Sequence, residues 1–185
     1  MKMFNPLTLF CLLIGFSGSL SSGSLSLKPR HETVQNISAR GGFTTENINT
    51  TPFILRSYSR VSNPSSDEAV IYIEGDGLAW LSRSRPSLDP TPTNPIALRL
   101  AALDTSDNVF YLARPCQYEK WIYKKACPMK YWTSHRFDRV VMDSFAQALD
   151  KIKAKHNISK IHLVGFSGGG TVAALLAQKR DDVVS

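Results

Sequence analysis

The chain has 185 residues, of which 43% are hydrophobic and 20% are charged. This composition can bury the core of one ordinary domain, and it argues against a disordered chain or a multidomain array. The formal net charge is +7, which predicts a basic surface and weak association with anionic membranes or polysaccharides. Lys and Arg are scattered and form no nucleic-acid motif, so we expect no nucleic-acid partner.

The N-terminus has the order of a secretory signal peptide. Lys2 precedes an apolar stretch from Leu7 to Leu20, and the small residues Ser21, Ser22 and Gly23 follow. This order predicts a signal peptide over residues 1–23 and export to the periplasm or the medium. The stretch is shorter than the ~20 apolar residues of a bilayer span. Anchoring by an uncleaved signal remains the alternative.

Cleavage of the signal would remove Cys11 and leave two cysteines, Cys116 and Cys127. In an oxidising compartment this pair is predicted to form a disulfide. Closing so short a loop would stabilise the fold by ~2.5 to 3 kcal/mol in the chain-entropy model. Two cysteines without a nearby histidine do not make a zinc site. The sequence predicts neither a metal nor another cofactor.

The first half of the mature chain contains a lead-in, two strands and a helix. Residues 24–50 are rich in Ser, Thr, Asn and Gly and are predicted to be a flexible lead-in with few packing residues. Partial alternation from Phe53 to Ser59 predicts an outer strand. Ala69 to Ile73 is uniformly apolar and β-branched, which predicts a strand buried on both faces. A helix should begin near Ile96, with Asn94 as its N-cap and Pro95 in its first position.

The second half continues the alternation of strands and helices. Val109 to Leu112 predicts another buried strand, and an apolar stripe from Phe137 to Ile152 predicts a long helix. Lys160 to Val164 is a third such strand, and Gly169 to Lys179 is helical in composition. The alternation predicts an α/β fold: a three-layer sandwich with a mainly parallel sheet, within one domain over residues 51–185.

The candidate nucleophile is Ser167 in Gly165-Phe166-Ser167-Gly168-Gly169. A GxSxG pattern arises by chance in roughly one chain of this length in twenty. Here it lies between a predicted strand and a predicted helix, which is the setting of a nucleophile elbow. In that turn the N–H of Gly168 would face the oxyanion that develops during acyl transfer.

The second oxyanion donor is predicted in Glu74-Gly75-Asp76-Gly77, which follows a buried strand. Esterases with such an elbow place a glycine-rich oxyanion loop at this position, and we assign the N–H of Asp76 to the role. The alternative is a tight turn that uses glycine at positive φ. The two interpretations are compatible.

These residues resemble those of α/β-hydrolases, and more narrowly of uncharacterised exported bacterial members of that superfamily. The resemblance rests on four segments and covers about residues 50–185. The segments are Ile71 to Gly77, Arg114 to Tyr118, Tyr131 to Phe137, and the elbow at Ser167. The resemblance implies the α/β-hydrolase fold and a serine esterase or lipase that acts on small-molecule or lipid esters.

The sequence departs from that pattern after the nucleophile. In this fold an Asp or Glu and then a His follow the serine. The four histidines, His31, His135, His156 and His162, all precede Ser167, and Asp181 and Asp182 are better interpreted as a polar turn. His135 is the one internal substitute worth considering. We therefore expect a C-terminally truncated, incomplete hydrolase domain that is inactive or nearly so.

Two other functions remain to be compared with an esterase. The aromatic segment 116–135 could contact a lipid or glycan through Trp121 and Trp132 in a non-catalytic remnant domain, although aromatic residues there could equally cover the protein's own core. Gly165 to Thr171 has the spacing of a phosphate-binding loop but lacks its lysine, which argues against nucleotide binding.

Overall fold

The computed structural model describes residues 27–119 and 127–185. The predicted signal peptide lies outside the described residues, as does Trp121. The strands are β1 Thr44–Asn49, β2 Ile54–Val61, β3 Glu68–Ile73, β4 Asn108–Leu112 and β5 Lys160–Gly165. The α-helices are α1 Leu27–Arg40, α2 Ile96–Leu103, α3 Arg139–His156 and α4 Gly168–Ala177. A short 3-10 helix, Met129–Trp132, precedes α3.

The five strands form one mixed sheet in the order β1-β2-β4-β3-β5. β3 pairs in parallel with both β4 and β5, whereas β2 is antiparallel to β1 and β4. Ile73 at the end of β3 lies opposite Leu112 and Gly165, the last residues of β4 and β5. The segments that leave these three strands therefore emerge side by side at one edge of the sheet.

Helices cover both faces of the sheet, which confirms the predicted three-layer sandwich. Buried residues of α3 and α4 pack on one face, against Leu55, Ile71 and Phe110 among others. Buried residues of α1 and α2 pack on the other face, against Tyr58 and Tyr111. Among the described helices, none has both the length and the apolar character that crossing a membrane requires.

The predicted apolar stripe is the buried face of α3. The helix begins at Arg139, two residues after the stripe does, and ends at His156. The next residue, Asn157, has a left-handed φ of 56° that terminates the helix. Its buried residues recur every three or four positions, as a core-facing helix requires. They are Val141, Met142, Ser144, Phe145, Ala148, Leu149 and Ile152.

The prediction of a lead-in with few packing residues is wrong for residues 27–49, which form α1 and β1. α1 is polar overall, but Val34 is buried against α2, and the buried guanidinium of Arg30 pairs with Asp89 at 2.9 Å. Tertiary contacts thus order a helix that its own composition does not favour.

The strand predicted from Phe53 to Ser59 and the cap of the helix predicted near Ile96 also differ from expectation. β2 is an interior strand, because β1 takes the outer edge of the sheet. The N-cap of α2 is Pro95, and Asn94 instead accepts a hydrogen bond from Arg99. At the opposite edge, Val183 forms a parallel bridge to Ile161 on the outer side of β5. The predicted disulfide is present between Cys116 and Cys127, whose Cα atoms are 5.6 Å apart.

Candidate active site at the carboxyl ends of the central strands

Ser167 occupies a sharp turn between β5 and α4. Its backbone has φ 53° and ψ −121°, a conformation that residues other than glycine rarely adopt. The N–H of Gly169 donates to the carbonyl oxygen of Phe166 at 2.8 Å, and that of Gly170 donates to Ser167 at 2.9 Å. The surrounding turn thus holds a strained residue in place, an arrangement that recurs at functional sites.

Two glycines permit this turn because other backbone atoms occupy the space of their missing side chains. A Cβ on Gly169 would lie 2.2 Å from the carbonyl oxygen of Ile73, and a Cβ on Gly165 would lie 2.3 Å from that of Gly169. The start of α4 consequently rests directly on the end of β3, which brings Ser167 beside the segment that follows β3.

That segment, Glu74 to Gly77, packs against the serine turn. A Cβ on Gly75 would lie 3.2 Å from Cβ of Ser167, and Gly77 has a left-handed φ of 63°. A cavity of about 170 Å³ opens between the two turns. Its lining consists of Glu74, Asp76, Gly77, Phe166 and Ser167 together with residues 92–94.

The two N–H groups assigned to the oxyanion are unused by the part of the chain that the structure describes. Neither the backbone N–H of Asp76 nor that of Gly168 donates to an acceptor among residues 27–119 and 127–185. The N–H of Gly168 follows Ser167 in the sequence, and that of Asp76 belongs to the segment that packs against the serine turn. The arrangement is thus compatible with two donors to one substrate oxygen.

The side chain of Asp76 is held by two arginines. Its carboxylate lies 3.4 Å from Nη1 of Arg114 and 3.4 Å from Nε of Arg136. It also approaches Gly168 so closely that a Cβ there would lie 2.4 Å from Oδ1, which places a negative charge at the N-terminus of α4. Burial lowers the pKa of Arg114 to about 10, and the charge of Asp76 opposes that effect.

Glu74 is a second acidic group beneath the cavity, and its side chain is almost fully buried. Burial raises the pKa of this carboxyl above its usual value. Its oxygens accept hydrogen bonds from the N–H of Gly75 at 2.9 Å and from the hydroxyl of Tyr111 at 3.2 Å. Glu74 and Arg114 were not predicted from the sequence as supporting residues. The available signal was a charged residue within two positions of the end of a buried strand.

The described histidines do not line the cavity beside Ser167. His135 is exposed, and its Nδ1 lies 2.7 Å from the hydroxyl of Ser134. Its neighbour Arg136 contacts Asp76, so His135 lies at the correct end of the sheet without facing Ser167 in this cavity. His162 contacts Glu68, and the ring of His156 packs against Phe110.

Trp132, the described member of the predicted ligand-contacting pair, is a core residue. It is 8% exposed and belongs to the core cluster on the α3 side of the sheet. Its indole N–H donates to the carbonyl oxygen of Ser87 at 3.0 Å. A buried, hydrogen-bonded tryptophan covers the protein's own core, and it offers no free surface to a lipid or glycan.

Comparison with known proteins agrees with the α/β architecture described above. Residues 114–185 match the family model described as the alpha/beta hydrolase fold. A crystal structure of a membrane phospholipase A, described as a bacterial virulence factor, superposes with a TM-score of 0.52 at 15% identity, over 87% of this chain and 44% of that one. No curated protein matches the chain.

Two further solved structures show weaker similarity. A lidless α/β serine hydrolase from Xanthomonas campestris has a TM-score of 0.42 at 15% identity, over 74% of this chain and 57% of its own. A hormone-sensitive lipase from a metagenome library has a TM-score of 0.44 at 13% identity, over 82% and 46% respectively. The chain therefore spans about half the length of these structures.

The chain has the α/β-hydrolase fold, which the match over residues 114–185 and the phospholipase superposition both show.

Proposed function

We propose that the chain carries the nucleophile and oxyanion site of a serine hydrolase that acts on carboxylic esters of small molecules or lipids. The main support is Ser167 itself, a non-glycine residue at φ 53° between β5 and α4. A solved structure that shares the fold is that of a membrane phospholipase A. The ester class is carried over from its name to this chain.

In the proposed reaction the hydroxyl oxygen of Ser167 attacks the ester carbonyl carbon. The carbonyl oxygen gains negative charge and accepts hydrogen bonds from the N–H groups of Asp76 and Gly168. The alcohol then leaves, and water hydrolyses the acyl-serine. The serine proton requires a base, and the described lining of the cavity contains no histidine. We therefore propose that the chain by itself turns esters over slowly or not at all.

The test is labelling by an active-site fluorophosphonate, combined with turnover of p-nitrophenyl esters. The proteins compared are this chain, its Ser167→Ala variant, a Ser65→Ala control at an exposed serine, and any longer product of the same reading frame. We expect slow labelling of the Ser167 peptide in this chain and faster labelling in a longer form that supplies a base. Label should be lost in Ser167→Ala and unaffected by Ser65→Ala. A folded longer form that leaves Ser167 unlabelled would refute the proposal.

We also propose that the protein is exported and that its basic surface associates weakly with anionic membranes or polysaccharides. The support is the order of residues at the N-terminus and the formal charge of +7. N-terminal sequencing of the cell-associated and exported protein would locate the cleavage site. Binding to anionic vesicles that persists at high salt would contradict the electrostatic part of the proposal.

A further inference from the structure

Gln117 connects the segment after β4 to the segment after β3. Its side chain is 1% exposed. Nε2 donates a hydrogen bond to the carbonyl oxygen of Gly75 at 2.9 Å, and Oε1 accepts one from the backbone N–H of Arg114 at 3.0 Å. Both ends of the buried amide are thus used, and one of them is bonded to the proposed oxyanion loop.

The bond to Gly75 acts on the peptide unit that contains the N–H of Asp76. The carbonyl of Gly75 and this N–H belong to one planar unit and point in opposite directions when the peptide is trans. A donor bonded to the carbonyl therefore fixes the direction of the N–H. It also polarises the unit, which makes the N–H a stronger donor.

The loop requires such support because glycine flanks Asp76 on both sides. Gly75 and Gly77 restrict the backbone little, so the loop would otherwise sample several orientations. The preceding peptide is held by Glu74, whose carboxylate accepts the N–H of Gly75 at 2.9 Å. Gln117 holds the next one, and a Cβ on Gly77 would lie 2.9 Å from its Nε2. The amide therefore fills the concave side of the loop.

The position of Gln117 is itself firmly determined. Cys116 and Tyr118 on either side have left-handed φ values of 72° and 60°. Cys116 is joined to Cys127, and the N–H of Tyr118 donates to Oγ1 of Thr91 at 2.9 Å. Two strained residues around one buried amide indicate a turn that the surrounding contacts maintain for the orientation of that amide.

We propose that Gln117 is a positioning residue of the oxyanion site, which aims and polarises the N–H of Asp76 through the carbonyl of Gly75. This role rests on the proposed function, in which that N–H binds the oxyanion. Gln117 does not touch the substrate. It keeps the N–H of Asp76 aligned before the reaction begins. Without that alignment the loop would have to reorganise during acyl transfer, which would raise the barrier.

The first test is spectroscopic and needs no activity. In the ¹⁵N–¹H spectrum of the chain, Gln117→Met keeps the side-chain size but removes donation to Gly75. We expect the amide nitrogen resonance of Asp76 to move upfield. The matched control is Gln147→Met, because Gln147 on α3 accepts its hydrogen bond from Thr51, which lies between β1 and β2 at the β1 edge of the sheet, whereas the loop follows β3. An unchanged Asp76 resonance in folded Gln117→Met would overturn the proposal.

Gln117→Glu separates positioning from simple packing and also serves if the methionine variant does not fold. A glutamic acid donates to Gly75 only while protonated. We expect the difference between the Asp76 resonances of this variant and of wild type at the same pH to shrink at low pH and to grow as the new carboxyl ionises. A difference that does not change with pH would overturn the proposal.

The second test uses fluorophosphonate labelling of Ser167. Loss of alignment should slow labelling by Gln117→Met on the order of tenfold to a hundredfold, while Gln147→Met labels at the wild-type rate. Wild-type labelling by folded Gln117→Met would refute the positioning role and leave the proposed nucleophile intact. If Ser167 is unlabelled in every form, the proposed function fails, and the spectroscopic test alone decides whether Gln117 orients the Asp76 peptide.

Discussion

The two ends of the central strands differ in how deeply their charged groups are buried and in how strained their backbone is. At the carboxyl end, Arg114 and Glu74 are buried, and Ser167 has a strained backbone. At the amino end, the pair of Lys160 with Glu68 lies at the surface, each residue about half exposed. The non-glycine residue with positive φ there, Asn157, is of a type that readily ends a helix in this conformation.

The contrast shows which end of the sheet is specialised. Buried charge and left-handed backbone cost stability, so they persist only where neighbouring contacts enforce them. Both accumulate around the N–H groups of Asp76 and Gly168, which donate to no acceptor among the described residues.

The largest expected effect is that of Gly169→Ala at the carboxyl end. The new Cβ would meet the carbonyl oxygen of Ile73 at 2.2 Å, and neither backbone can move without disturbing β3 or α4. We expect a loss of about 3 kcal/mol in the free energy of unfolding, measured by denaturant titration. Gly170→Ala is the control, since its nearest contact is at 3.3 Å. Equal losses in the two variants would contradict the close approach of α4 to β3.

A smaller effect is expected when charge pairs at the two ends are neutralised. Asp76→Asn leaves the buried guanidinium of Arg114 without its counter-charge and should cost about 2 kcal/mol in thermal or chemical unfolding. Glu68→Gln at the amino end should leave the unfolding midpoint unchanged, because exposed pairs contribute little. If Glu68→Gln proved as destabilising as Asp76→Asn, the proposed difference between the ends would be wrong.

The smallest expected effect is a pH dependence at the amino end. Hydrogen bonding by Arg180, with further help from Lys153, lowers the pKa of Asp182, whose side chain is 17% exposed, to about 2. Because the pKa of Asp182 is lower in the folded state than in the unfolded state, its ionised carboxyl stabilises the fold fully above about pH 4. This contribution is lost as the pH falls towards 2. The contribution should be on the order of 1 kcal/mol.

This dependence is measured as the difference in unfolding free energy between wild type and Asp182→Asn from pH 5 to pH 2. The difference should shrink as the pH falls. A constant difference over that range would show that the carboxylate of Asp182 contributes nothing through its charge.

Local patterns in the sequence predict the regular elements and the nucleophile's setting. α3 is predicted by an apolar stripe, and β3, β4 and β5 by short apolar runs. Such predictions succeed because the spacing of apolar residues in helices and strands depends only on residues close together in the chain. The turn at Ser167 follows from three glycines around one serine. Residues 27–49 were mispredicted because α1 is polar and gains its order from contacts with α2 rather than from its own composition.

Sequence alone thus determined the three-layer α/β architecture, the cysteine pair and the place of Ser167 between a strand and a helix, since each depends on residues close together in the chain. Only the tertiary structure revealed that Gln117 holds Gly75, that Arg114 and Arg136 hold Asp76, and that β3 supports the serine turn. These contacts join segments tens of residues apart. They form only because parallel strands bring their carboxyl ends to one edge of the sheet.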